Sequence, residues 1–145
     1  MDSREELIKL IEEQIGIEKE SVARFAETEK KVHTGTARLL LCEMRMDSQK
    51  HASVLEAVLE SLKAYPSSKP PWEQAFGRVV DPVIVKREIE KHKALGKSMR
   101  AHLAREMRNT TDEIILALLG HLAQEERRHN EILDTMAKKC DTMIR

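Results

Sequence analysis

The sequence predicts an all-α protein, a four-helix bundle made of two helical hairpins joined by a long link. Three observations predict it. Apolar residues recur at alternating steps of three and four through four long segments. Helix start and stop signals punctuate those segments. Charged residues make up 34% of the 145 positions and aromatic ones 3%, a balance that suits long solvated helices better than an aromatic-rich sandwich. A chain of this length supports one domain with a continuous core, so residues 1–145 are expected to form a single bundle.

The first helix is expected over about 3–33, where Ser3 and Glu6 have capping-box spacing. Gly35 suits the left-handed position after its end, and Thr36 suits the cap of the next helix. That second helix should run over about 37–64. The stretch "YPSSKPPWEQAFGRVV", residues 65–80, is rich in Pro, Gly and Ser and reads as a long connection with one short helical turn around Trp72. Asp81 then supplies an N-cap before Pro82 at the first helical position, with Val80 and Val85 at staple spacing. The third helix is expected over about 82–108. "NTTDE" places Thr110 and Glu113 at capping-box spacing, so the fourth is expected over about 111–142.

The apolar stripe is broken near the middle of every helix. The first reads Ile8, Ile11, Ile15, Glu18, Val22, Phe25, Glu29, Val32, and the second Ala37, Leu41, Met44, Ser48, His51, Leu55, Val58, Leu62. The third reads Val85, Ile89, His92, Gly96, Met99, Leu103, Met107, and the fourth Ile115, Leu119, Leu122, Glu126, His129, Leu133, Met136, Cys140. Glu29 lies close to the first turn, where its side chain is expected to reach water.

Heights along the hairpins bring the breaks together. From Gly35, Glu18 stands 17 residues back and His51 16 forward; from Thr110, His92 stands 18 back and His129 19 forward. A buried carboxylate without a partner costs several kcal/mol, so Glu18, His51, His92, Glu126 and His129 need something to satisfy them. A divalent cation is one solution, because imidazole nitrogen and carboxylate oxygen ligate zinc, iron and manganese. Spacing of three lets Glu126 and His129 aim at one point from one helix. A self-neutralising network of ion pairs is the other solution. Asp47 is expected to pair with His51 at i,i+4; turned inward, it or Glu88, one turn from His92, would supply a further carboxylate. Ser48 leaves room for a water, and Met99, Met107 and Met136 read as core filler. His33, His102 and His121 fall off the stripes and are expected at the surface.

Other chemistries find little support. Lys+Arg and Asp+Glu are 25 each, so no net field recruits nucleic acid or an anionic membrane. Cys42 and Cys140 lie far apart, outside any metal-type spacing. The five glycines are dispersed and form no phosphate-cradling loop. The acidic start "MDSREELIKL" does not resemble a signal peptide, and no apolar run approaches the roughly 20 residues that span a bilayer. A soluble cytoplasmic protein is expected, with a metal ion as partner and a homodimer left open.

With "EERRH" (125–129) supplying Glu126 and His129, Glu18 on the first helix and His51 on the second, the chain resembles the ferritin-like superfamily, in particular its short rubrerythrin-type members. The resemblance spans nearly the whole chain, including the long link. It implies a metal centre in the bundle core, iron by family preference, and redox chemistry with oxygen or peroxide. The sequence departs from the family's pattern at several points. Ser48 replaces the second-helix Glu in "MDSQKH" (46–51), and His92 stands at the third-helix Glu position. Phe25 and Met99 stand where the family has tyrosines, and no Cys-x-x-Cys segment is present. The expected site is therefore altered, mononuclear or asymmetric, with His92, Glu126 and His129 as a two-His-one-carboxylate set. The rival expectation is a non-catalytic bundle that has lost its metal and serves as an interaction or scaffold protein.

Overall fold

In a computed structural model, which describes residues 3–64 and 81–144, all regular structure is helical. Among the described residues there are four helices and no strands: α1 (Ser3–Lys31), α2 (Gly35–Ala64), α3 (Pro82–Arg108) and α4 (Glu113–Ile144). The chain forms two compact units. Helices α1 and α2 make hairpin 1, and α3 and α4 make hairpin 2. No described helix is long and apolar enough to cross a membrane. The connection expected over 65–80, the turn around Trp72 and the Val80 staple lie outside the described residues.

Start signals hold where one residue type dominates and shift where two compete. Asp81 is extended at φ −69° and ψ 116°, its Oδ1 accepts from Val83 N at 2.9 Å, and Pro82 opens α3. At α4 the cap is Asp112 and not Thr110. Its carboxylate accepts from Ile114 N at 2.9 Å and Ile115 N at 3.0 Å, two donors where a hydroxyl commonly takes one. Thr110 instead accepts from Asp112 N at 3.2 Å and so orients the cap itself. Gly35 is the first residue of α2 and does not adopt positive φ, so its left-handed freedom goes unused. The first bond of α2 runs from Arg38 N to the carbonyl of Thr34 at 3.1 Å, which moves the cap two residues back from Thr36.

Each hairpin is closed by a narrow seam. In hairpin 1 the buried residues are Ile11, Ile15, Ser48 and Ala52, and the Ser48 and Ser21 hydroxyls lie 3.1 Å apart. Ser48 thus finds a side-chain partner where a water was expected. In hairpin 2, Ile89, Ala137 and Cys140 form a small core flanked by Val85, Leu133 and Met136, with Leu103 buried farther along α3. Met107 packs against the open face of Gly120, whose absent Cβ would stand 3.7 Å from the methionine methyl.

The predicted stripes are rotated by one residue at several levels. Arg45 and Ala52 take inward places expected for Met44 and His51, and Lys93 and Arg100 take those expected for His92 and Met99. Met44 and Met99 are exposed, so Met99 is not core filler. The inward cations meet acids across the seam. Arg45 donates to Glu29 through Nε at 2.6 Å and Nη2 at 3.4 Å, and Lys93 reaches Asp134 at 2.6 Å. Glu29 is therefore paired and well shielded, where the sequence led us to expect contact with water. The hydrogen bonds to Glu29 and Asp134 hold the Arg45 guanidinium and the Lys93 ammonium above their ordinary pKa values. Lys86 is raised in the same way by Asp141.

Candidate metal centre

Hairpin 1 brings Glu18 and His51 together from facing helices, with His51 Nδ1 3.5 Å from Glu18 Oε2. The carboxylate side chain is 15% exposed and the imidazole 53%. This separation is that of an ion pair at the edge of direct bonding. The matched heights counted from the turn are what put the two residues opposite one another. A depression on α1, lined by Ile17, Ser21 and Phe25 among others, includes neither Glu18 nor His51.

Hairpin 2 pairs the same residue types within one helix. His129 Nδ1 lies 3.3 Å from Glu126 Oε1, one turn away on α4, with side-chain exposures of 53% and 17%. His92, from α3, joins them around a groove of about 490 Å³ that is also lined by Gly96, Leu95, Met99, Ile132 and Leu133. Gly96 matters because it has no side chain to fill the space beside Glu126. A Cβ there would stand 3.6 Å from Glu126 Oε2 and 3.3 Å from Arg100 Nη1.

The groove offers two imidazoles and one carboxylate, whose ligand atoms do not all lie within 4.8 Å of one another. Two imidazoles and a carboxylate are ligands that zinc, iron and manganese accept. A bridged pair of ions would require more carboxylate than Glu126 alone provides. Of the other acids considered, Glu88 is exposed and salt-bridged to Lys91 at 3.1 Å, and Asp47 is half-buried on α2.

Two features of hairpin 2 were not foreseen from the sequence. Arg100 is half-buried at the seam, and its Nη1 is buried with no hydrogen-bond partner among the described residues. Its place four residues after a helical glycine was the available signal. His121 is half-buried and not a free surface residue; its Nε2 lies 3.6 Å from Glu125 at i,i+4. His33 and His102 are exposed, with His102 Nε2 3.0 Å from Glu106.

The two cysteines occupy unlike settings. Cys140 is 1% exposed, and burial pushes its thiol above the ordinary pKa, with a further push from Asp141 and a smaller opposing pull from Lys86. Cys42 is half-buried, accepts from Arg45 Nη2 at 3.4 Å and has its sulfur 3.8 Å from that of Met46. Neither is near the groove residues in sequence.

Against family models, against curated proteins and against solved structures, the chain finds no match.

Proposed function

We propose that this chain is a metal-binding protein of the ferritin-like class, a four-helix bundle with an altered metal site. The observation that carries the proposal is the groove of hairpin 2, which His92, Glu126 and His129 line together beside the gap left by Gly96. Glu126 would contribute a shielded carboxylate oxygen, and His92 and His129 neutral imidazole nitrogens. Glu18 and His51 of hairpin 1 are a second, weaker donor pair. Iron is the ion that the ferritin-like resemblance favours, with zinc and manganese as alternatives of the same ligand chemistry. An iron ion held there would supply redox chemistry toward oxygen or peroxide.

Elemental analysis by plasma mass spectrometry, on untagged protein purified without chelator, tests this directly. About one equivalent of metal is expected for a single two-His-one-carboxylate set, lost when Glu126→Ala and His129→Ala are combined. Metal-free protein that also refuses added ferrous and zinc ions overturns the proposal.

A second reading has its own support. Both candidate carboxylates, Glu18 and Glu126, already face an imidazole, at 3.5 Å and 3.3 Å, which is the arrangement of a self-neutralising polar network. On this reading the chain is a metal-free ferritin-like bundle acting as an interaction or scaffold protein. The double variant then loses stability and no metal.

A further inference from the structure

Arg100 is out of keeping with its surroundings. It is an inward residue of the α3 seam, yet its Nη1 is buried without an acceptor among the described residues. Leaving a buried guanidinium nitrogen unsatisfied is costly, more so than for a neutral group. The other inward cations each have an acid: Arg45 has Glu29 and Lys93 has Asp134. An acceptor for Arg100 is close by. Both its Nη1 and Glu126 Oε2 lie within van der Waals range of the point where a Gly96 Cβ would stand, at 3.3 Å and 3.6 Å. The two charges are therefore separated by no more than those two lengths together. Glu126 uses its other oxygen, Oε1, toward His129. Oε2 is thus the oxygen turned toward both the gap and the arginine.

We infer that Arg100 sets the groove's affinity for a divalent cation, because its guanidinium and the cation are alternative counter-ions of Glu126. This rests on the metal-binding reading above. Without metal, the guanidinium stands across the Gly96 gap from Oε2 and balances its charge through space, with no direct hydrogen bond between them. With metal, Oε2 turns to the ion and the guanidinium must withdraw, since like charges a few ångströms apart repel. Gly96 is what permits the exchange. A side chain at that position would occupy the path between nitrogen and oxygen.

The test is calorimetric titration with cobalt(II), a spectroscopically visible stand-in for zinc or iron, on the full chain. Arg100→Gln removes the charge and should tighten binding on the order of tenfold, the effect of one nearby cation at a partly exposed site. Arg100→Lys keeps the charge and should stay near wild type. In a Glu126→Gln background the effect of Arg100→Gln should vanish. If glutamine disturbs the seam, as circular dichroism would reveal, Arg100→Met keeps the aliphatic arm and repeats the comparison. Wild-type protein that binds cobalt(II) through Glu126, but equally well or more weakly when Arg100 is neutral, overturns the inference and leaves the metal site standing. Failure of wild type and Arg100→Gln alike to take up cobalt(II) removes both.

Discussion

Each hairpin sets a candidate carboxylate against a half-exposed imidazole, but hairpin 1 does so between helices and hairpin 2 within one. Glu18 meets His51 across the α1–α2 seam, whereas Glu126 meets His129 one turn along α4. The surroundings differ as well. Near Glu18 the seam is finished by the paired hydroxyls of Ser21 and Ser48. Near Glu126 it is left open by Gly96 and carries an arginine nitrogen without an acceptor. A closed seam with its polar groups satisfied is a structural arrangement. An open one, with a third donor from His92 on its rim, leaves room for a ligand.

The largest effect that would sharpen this comparison lies in the cores. Ile89 is 3% exposed and packs on Ala137 and Cys140, while Ile11 is 8% exposed beside a more polar seam. Ile89→Ala should destabilise by about 3–4 kcal/mol and Ile11→Ala by about 2–3, read from urea unfolding midpoints. Equal costs would mean that the hairpins are equally well packed. Next comes the metal itself. Glu126→Gln should weaken cobalt(II) binding at least about tenfold, the loss expected for a charged ligand, while Glu18→Gln should change it by less than about threefold. The reverse ranking would move the principal site to hairpin 1.

A smaller contrast concerns two helical glycines. A Cβ at Gly16 meets nothing within 4 Å, so Gly16→Ala should stabilise by about 1 kcal/mol through helix propensity alone. At Gly96 the new methyl displaces the end of Arg100, and the gain should fall to about half of that or less. Thermal denaturation of the two single variants measures the difference. The smallest effect is one of pH. The folded pKa of Cys140 is raised, so its contribution to stability is complete below the ordinary thiol value of 9.0 and is lost as pH rises through the folded value. Lys86 and Lys93 are raised from 10.5 and act in the same direction, but at higher pH. Between about pH 9 and 10.5, then, the stability of wild type should fall more steeply than that of Cys140→Ala. Parallel curves would show that the thiol has the same pKa in the folded and unfolded chain.

The sequence reveals the helices more readily than the faces they turn inward. Four amphipathic segments and the Asp81–Pro82 start are legible because periodicity and a capping pair are local signals. The stripes went astray where a long basic residue stands beside an apolar or imidazole one, as at Met44–Arg45, His92–Lys93 and Met99–Arg100. A pattern search sends arginine and lysine outward. In the folded chain their aliphatic arms line the seam and their charged ends find Glu29 and Asp134. Two helices in a hairpin share a line beside the axis of the amphipathic face, and steps of three and four do not distinguish that line from its neighbour. The pairing of Glu18 with His51 was legible from nearly equal distances to the turn, 17 and 16 residues from Gly35. The orphaned nitrogen of Arg100 was not, because it depends on a rotamer and on the side chain that Gly96 lacks.

The spacing of Glu126 and His129 has a consequence in time. A helical turn forms in well under a microsecond, long before two helices find their register. The α4 pair therefore assembles with the helix itself, whereas Glu18 and His51 must wait for hairpin 1 to close. A cation with affinity for that turn also finds it in the partly folded chain. Its binding then stabilises the native state by less than its affinity for the finished groove would suggest, because the unfolded ensemble competes for the same ion. What the local pair would lose in thermodynamic leverage it would gain in order of events: an ion bound by that turn would arrive early, and the rest of hairpin 2 would fold around it.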